Sequence, residues 1–285
     1  MSEPIDHHYL PVFYLRQWCN SEGRLFRYHR PHHRVVASSI TPKSTGYEPS
    51  LYTLEDYPPE QRQVIEKQFM GPIVDDPASK ALKILIERDR QKMTEEMRVA
   101  WTRFLMSMRL RDPHTLSEVT ALARQIVKTN LSKPDQEYLQ AKSDSDPPTL
   151  YEWVEKHAPH VIKNIGKAFL PGLIDHEKIG DHIINMQWST FELSKSSVTL
   201  LTGDRPFITT EGLADTKCVL AFPLAPRFLF VATNGPEVAQ RLVAIGETQM
   251  AEATNVNIVA QAQKHVYGDS ARHLRFVENR LSSKL

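Results

Sequence analysis

Along the chain the spacing of apolar positions shifts from alternation to helical periods and back again. Near the N-terminus, Arg24-Leu25-Phe26-Arg27-Tyr28-His29-Arg30 and Val35-Val36-Ala37-Ser38-Ser39-Ile40 flank Pro31-His32-His33, which predicts a β-hairpin. A compact aromatic segment from Tyr9 to Trp18 precedes it, and residues 41–59, rich in Pro, Ser, Thr and Tyr, read as an irregular loop. Helical spacing then takes over. Residues 60–70 form a first predicted helix, and Asp76-Pro77 caps a second with Ala81, Leu82, Leu85 and Ile86 on one face. Thr94 opens a third, with Met97, Trp101, Phe104, Leu105 and Met108 in step. It ends near Arg111-Asp112-Pro113, because proline disfavours helical geometry in the residue before it. Leu116, Val119, Leu122, Ala123, Ile126 and Val127 mark one more.

Residues 131–148 are polar and form the best hinge candidate. Thr149-Leu150-Tyr151-Glu152 matches a capping box, and the helix it opens is interrupted at Pro159 and again at Leu170-Pro171-Gly172. The last third returns to β, with predicted strands at 186–193, 198–201, 207–210, 218–222 and 227–233. Residues 247–265 are helical in pattern and 266–277 hold a last short strand. This order predicts one α+β domain over residues 1–285. A mostly antiparallel sheet comes from the N-terminal segment (1–59) and the C-terminal segment (186–285), and residues 60–185 form a helical middle.

Composition narrows the class. Hydrophobic residues are 41% and charged residues 24% of the 285, a balance that excludes a disordered, collagen-like or coiled-coil chain. No run approaches the ~18 consecutive apolar residues of a membrane helix. The opening Met1-Ser2-Glu3-Pro4-Ile5-Asp6 is acidic, which argues against a secretory leader. Cys19 and Cys218 are too few for a disulfide framework and fit a reducing cytoplasm. Lys and Arg number 35 against 34 Asp and Glu, so whole-surface attraction to nucleic acid is not expected, and local basic patches are left open.

The sharpest local chemistry is His7-His8-Tyr9-Leu10-Pro11 with Phe13-Tyr14-Leu15-Arg16 behind it. Side chains alternate in an extended segment, so one of the two histidines enters a given cleft. A neutral imidazole serves as a general base or a metal ligand. The plainer alternative is that His8 and Tyr9 pack and hydrogen-bond under the helices. A faint likeness to the histidine that opens ββα-metal nucleases stops there, because the expected downstream Asn and His are missing.

Leu201-Thr202-Gly203-Asp204 ends an apolar strand in a carboxylate suited to holding a metal or orienting a histidine, and equally to capping its own turn. Arg111, in Arg109-Leu110-Arg111-Asp112-Pro113, could clamp a phosphate, although Arg in a last helical turn commonly pairs with a neighbouring Asp. Arg27-Tyr28-His29-Arg30 with His32, His33 and Arg34 is a basic-aromatic ribbon that could follow a nucleic-acid backbone or simply face solvent. Asp175-His176 and Asp181-His182 fall at surface helix positions. A phosphate-binding glycine loop, a G-x-S-x-G elbow and paired C-x-x-C motifs are all absent from the sequence.

Taken in order, these features resemble one family. They are His7-His8-Tyr9-x-Pro11-x-Phe13-Tyr14-Leu15-Arg16-x-Trp18, the basic strand Leu25 to Arg30, and the loop Thr41-Pro42-Lys43. Arg111-x-Pro113, Thr202-x-Asp204-x-Pro206 and Phe222-Pro223-Leu224-x-Pro226 follow. Last comes an Asn such as Asn255 or Asn257 ahead of His265-Val266-Tyr267. Over nearly the whole chain this resembles the family known as domain of unknown function 4238. Gly203 and Arg205 stand where that pattern has serine and asparagine. The resemblance implies a single unit whose site is built from His8, Arg16, Lys43, Arg111 and Asp204, and it supplies no reaction.

Two functions stand as expectations. The first is phosphodiester hydrolysis by a nuclease of the intracellular, defence- or toxin-like kind. His8, Asp204 and Lys43 are then catalytic, and His7, Tyr14, Arg16, Arg27, Arg111 and Asn255 bind a nucleic acid or nucleotide, with a divalent ion left open. The second is a non-catalytic module that uses the same residues to recognise nucleic acid, a nucleotide or a protein. Both place His8, Arg16 and Asp204 around one pocket, because an unsatisfied buried polar group costs ~1–3 kcal/mol.

Overall fold

The computed structural model describes residues 6–282, and residues 1–5 of the acidic opening lie outside the described residues. Its strands are β1 (Asp6–His8), β2 (Leu25–His29), β3 (Val36–Ile40), β4 (Tyr47–Pro49) and β5 (Gln187–Glu192). They continue with β6 (Thr202–Gly203), β7 (Ile208–Thr209), β8 (Val219–Ala225), β9 (Phe228–Thr233) and β10 (Val266–Gly268). All pairings are antiparallel, in sheets ordered β1-β4, β3-β2-β10-β6 and β5-β9-β8-β7. The hairpin β2–β3 is the predicted one. Because β10 lies between β2 and β6, the N-terminal hairpin and C-terminal strands share one sheet, and the chain is α+β with a helical middle.

Helix α1 (Val12–Leu15) lies in the N-terminal segment, and the middle holds α2 (Pro59–Arg62), α3 (Asp76–Glu87), α4 (Glu95–Leu110), α5 (Pro113–Leu131) and α6 (Gln136–Ala141). It continues with α7 (Leu150–His157), α8 (Pro159–Ile174) and α9 (Glu177–Asn185), and later come α10 (Pro236–Ala244), α11 (Glu247–Gln261) and α12 (Leu274–Glu278). The caps follow the sequence signals. Thr94 accepts from the Met97 amide, Asp112 from those of His114 and Thr115, and Thr149 and Glu152 form the capping box.

The departures have physical causes. Helix continues past Met70 as a π-helix, Ile65–Asp75, that runs straight into α3, so Asp76 does not cap a fresh start. Pro72 lies inside it. Proline lacks the amide hydrogen and crowds the carbonyl four residues back, and a wider turn relieves both. Helix α8 likewise runs through Pro171 to Ile174. Residues 198–201 form no strand because their backbone groups are bound elsewhere. The Leu200 amide donates to the Pro226 carbonyl at 2.8 Å, and the Trp18 indole donates to the Leu200 carbonyl at 2.9 Å. Asn255 takes the Leu201 amide at 2.7 Å and donates to the Thr199 carbonyl at 2.9 Å. Past β10, Leu274, Val277 and Leu281 keep helical spacing, and α12 forms there in place of a longer strand. Strand β4 lies within the predicted loop 41–59, and α10, with Pro236 at its first position and Val238, Leu242 and Val243 at helical spacing, falls where no element is predicted.

Aromatic side chains from the N-terminal segment, α4 and the third sheet make the larger core: Tyr14, Trp18, Trp101, Phe104 and Phe222. Tyr28, Leu201, Ile258 and Val266 belong to a second, around β2, β10 and α11. Tyr14 connects the two four-stranded sheets. Its hydroxyl bonds Thr202 on β6 at 2.7 Å and donates to the Pro223 carbonyl on β8 at 2.9 Å. Cys19 and Cys218 are both free thiols. Among the described residues no helix is long and apolar enough to cross a membrane.

Candidate functional site

Strand register assembles the site. Arg27 and His29 are two apart on β2 and share one face, while Tyr28 between them enters the second core. In the β2–β10 ladder Tyr267 lies opposite Arg27 and Val266 opposite Tyr28. The same register carried one residue further sets His265 beside His29, with ring centroids 6.1 Å apart and planes at 64°. On the other flank of β10, Tyr267 faces Thr202 and Val266 faces Gly203, which brings Asp204 alongside His265. One polar sheet face therefore carries Arg27, His29, Tyr267, His265 and Asp204. The N-terminal ribbon closes over it where Thr45 meets the Tyr267 hydroxyl at 2.9 Å.

Asp204 is 5% exposed and shapes the turn after α11. Its carboxylate accepts the amides of Gln263 at 2.9 Å, Lys264 at 2.6 Å and His265 at 2.9 Å. Burial holds its carboxyl above the usual range against these three bonds, which favour the charged form. Neither His8 nor Arg16 is among its hydrogen-bond or ion-pair partners. Asp204 caps, as one of the sequence alternatives had it, but the turn it caps is some sixty residues on.

That turn presents Lys264 and His265 to a cavity of about 150 Å³, lined also by His29, Arg30 and Gln263. Arg27 Nε, His29 Nδ1, Arg30 Nε and His265 Nδ1 are buried with no hydrogen-bond partner. The rest of the Arg30 head is committed, to the carbonyls of His33, Glu278 and Leu281. Lys264 Nζ is exposed, 3.4 Å from Glu48. Burial pushes the His265 imidazole down to about 4, helped by the charges of Arg27 and Lys264. Burial, with Arg27, lowers His29 as well. Burial first and the neighbouring cations second favour the neutral form of both rings, and no carboxylate is among the described lining residues. Such a donor set suits an anion.

The opening motif makes a second polar centre. His7 and His8 alternate as β1 requires. His7 is fully buried, stacked on Tyr52 with centroids 5.6 Å apart, and its Nδ1 accepts the Tyr52 amide at 2.8 Å. His8 is half-buried beside Tyr47, and its Nε2 is buried without a partner. Burial lowers its pKa, opposed by a backbone hydrogen bond with Lys43. Arg111 is fully buried between Asp75, at 2.9 Å, and the Met108 sulfur, at 3.0 Å, with Nε unpartnered. Nearby Glu66 has an unpartnered buried oxygen, and burial next to Asp75 raises it to about 7.

The other predicted site residues scatter. Arg16 is exposed on the turn after α1, where its charge acts on the Cys19 thiol. The Lys43 side chain is exposed while its backbone serves His8. Tyr14 and Asn255 lie in the interior with the hydrogen bonds already given. The structure brings Arg27 and Asp204 to one face, and His8 near Lys43 and Arg111, but does not bring His8, Arg16 and Asp204 together. Lys264 carries no sequence expectation, while His29 is named only within the basic-aromatic ribbon and His265 only within the family pattern, neither as a site residue. The available signal was a pair of two-residue spacings, Arg27-x-His29 inside a predicted strand and His265-x-Tyr267 across the predicted end of a helix and start of a strand. The pairing of those strands was not legible. Among the described residues no group of three or more His, Cys, Asp or Glu could hold a metal ion.

No curated protein and no solved structure matches the chain. The family described as "Protein of unknown function (DUF4238)" matches residues 6–272, nearly the full length, and the chain belongs to that family.

Proposed function

We propose that the protein cleaves phosphodiester bonds in nucleic acid, with the phosphate seated in the His29–His265 cavity. One observation carries this reading: two neutral imidazoles with unpartnered buried nitrogens share a small cavity with Lys264 and sit beside Arg27. The cationic groups neutralise charge that develops on a reacting phosphate, and the imidazoles transfer protons near neutral pH. Asp204 acts as a positioning residue, holding the turn that carries Lys264 and His265.

The test is incubation of the full chain with RNA and with DNA, with and without divalent metal, beside His29→Gln, His265→Gln and His8→Ala. The reading expects cleavage that falls sharply in both cavity variants. Binding with intact substrate would make the protein a recognition module instead. Cleavage lost in His8→Ala and kept in the cavity variants would move the chemistry to the opening motif, and no cleavage of either substrate would overturn the reading.

A further inference from the structure

Resting on that reading, we propose that the substrate is RNA, cleaved through its own 2′-hydroxyl by the His29–His265 pair. One imidazole takes the 2′-hydroxyl proton as the 2′-oxygen bonds to phosphorus. The other, as imidazolium, gives a proton to the 5′-oxygen as the P–O5′ bond breaks. The products are a 2′,3′-cyclic phosphate and a 5′-hydroxyl end. The base ends protonated and the acid neutral, so proton exchange with solvent resets the pair.

The chemistry of the cavity favours this over water-driven cleavage. Hydrolysis of DNA needs an activated water, most readily supplied by a metal-bound one, whereas RNA brings its nucleophile with it. What RNA then requires is one base, one acid and cations for the pentacoordinate phosphorus. His29, His265 and Lys264 line the cavity, and Arg27 stands beside both rings with an unpartnered Nε.

Geometry agrees. In-line displacement puts the attacking and leaving oxygens on opposite sides of phosphorus, so base and acid must stand apart. The two rings approach edge to face with centroids 6.1 Å apart, and neither bonds the other. A cavity of about 150 Å³ has room for a phosphate with its ester oxygens, and the nucleotides on either side extend past its mouth. The hairpin turn that continues from Arg30 carries exposed His32, His33 and Arg34, suited to stacking and backbone contact there.

Protonation follows from occupancy. Burial and neighbouring cations favour the neutral form of both rings. A phosphodiester anion offsets those cations and raises both imidazoles, so one becomes an acid when substrate is bound.

The decisive substrate is a DNA oligonucleotide with a single internal ribonucleotide, compared with the all-DNA strand, in EDTA, with product ends identified by mass spectrometry. Cleavage is expected at the ribonucleotide alone, giving a cyclic phosphate. His29→Gln and His265→Gln are each expected to cost roughly 10²–10⁴-fold in rate. Each should also remove one limb of a bell-shaped pH profile, which a purely structural loss would not do. Equal cleavage of the all-DNA strand, or products with 3′-hydroxyl and 5′-phosphate ends, would overturn the RNA inference and leave phosphodiester cleavage standing. Failure to cleave any strand would remove the hydrolase reading itself.

Discussion

Asp204 and His265 are bound to each other twice. The Asp204 amide donates to the His265 carbonyl at 3.0 Å, and the Asp204 carboxylate accepts the His265 amide at 2.9 Å. This reciprocal pair fixes the end of β6 to the start of β10 and aims the His265 ring across the strand at His29. A carboxylate that the sequence offers as a reactant is, in the structure, the clamp that holds the Gln263–His265 turn.

Asp204→Asn leaves one acceptor oxygen and turns an amide donor toward backbone donors. The variant is expected to lose about 2–4 kcal/mol of stability, because buried charge-assisted bonds are broken without replacement. Urea denaturation followed by circular dichroism measures it. Cleavage should fall with it, since the Lys264–His265 turn loosens. Unchanged stability would mean that the three amides are satisfied in some other way.

Much of the fold was legible in the sequence, and for stated reasons. The β2–β3 hairpin, the caps at Thr94, Asp112 and Thr149, and the Trp101–Phe104–Met108 face all follow local rules of turn chemistry and helical spacing. What local pattern could not show was pairing at long range. Residues 198–201 look like a strand, and become irregular because Asn255, Trp18 and Pro226 take their hydrogen bonds. The site followed the same rule. His8, Arg111 and Asp204 stand out because they interrupt apolar runs. His29 ends β2 and His265 lies just before β10, and they gain meaning when β10 pairs with β2.

Asn255→Ala should destabilise by about 2–4 kcal/mol, through a buried amide at Leu201 and a buried carbonyl at Thr199 left without partners. Asn255→Asp keeps the acceptor but sets a charge against the Thr199 carbonyl, and should be no milder. Thermal melts of the two variants check this. An Ala variant within 0.5 kcal/mol of the parent, taken as roughly the scale of a neutral surface change, would contradict it.

Glu66 should make stability depend on pH. Its carboxyl titrates near 4.5 in its ordinary state and at about 7 in the fold, where burial and Asp75 oppose its charge. Between those values the folded chain holds the extra proton, so this group's contribution to stability falls as pH rises from about 4.5 to about 7. Glu66→Gln should match the parent near pH 4.5 and melt higher at pH 8, by roughly 2–4 °C. A Tm difference that stays constant across this range would contradict the assignment.

Helices α5 and α8 cross at Gly166, where an added Cβ would lie 2.0 Å from Thr120 Oγ1 and 2.6 Å from Thr120 Cα. Backbone cannot move aside as a flexible side chain can. Gly166→Ala is therefore expected to cost about 1–3 kcal/mol despite alanine's better helix propensity. Gly172→Ala, whose Cβ would meet nothing within 4 Å, is the matched control and should be neutral or stabilising.

The central claim is that His29 and His265 form an anion-binding pair, and imidazole titration by NMR tests it most directly. In the free protein His265 should titrate at about 4, and His29 below its ordinary 6.5. Added inorganic phosphate should raise both together, and more weakly so in Arg27→Gln. If His265 titrates at its ordinary value and phosphate moves neither ring, the cavity does not hold an anion and the account fails.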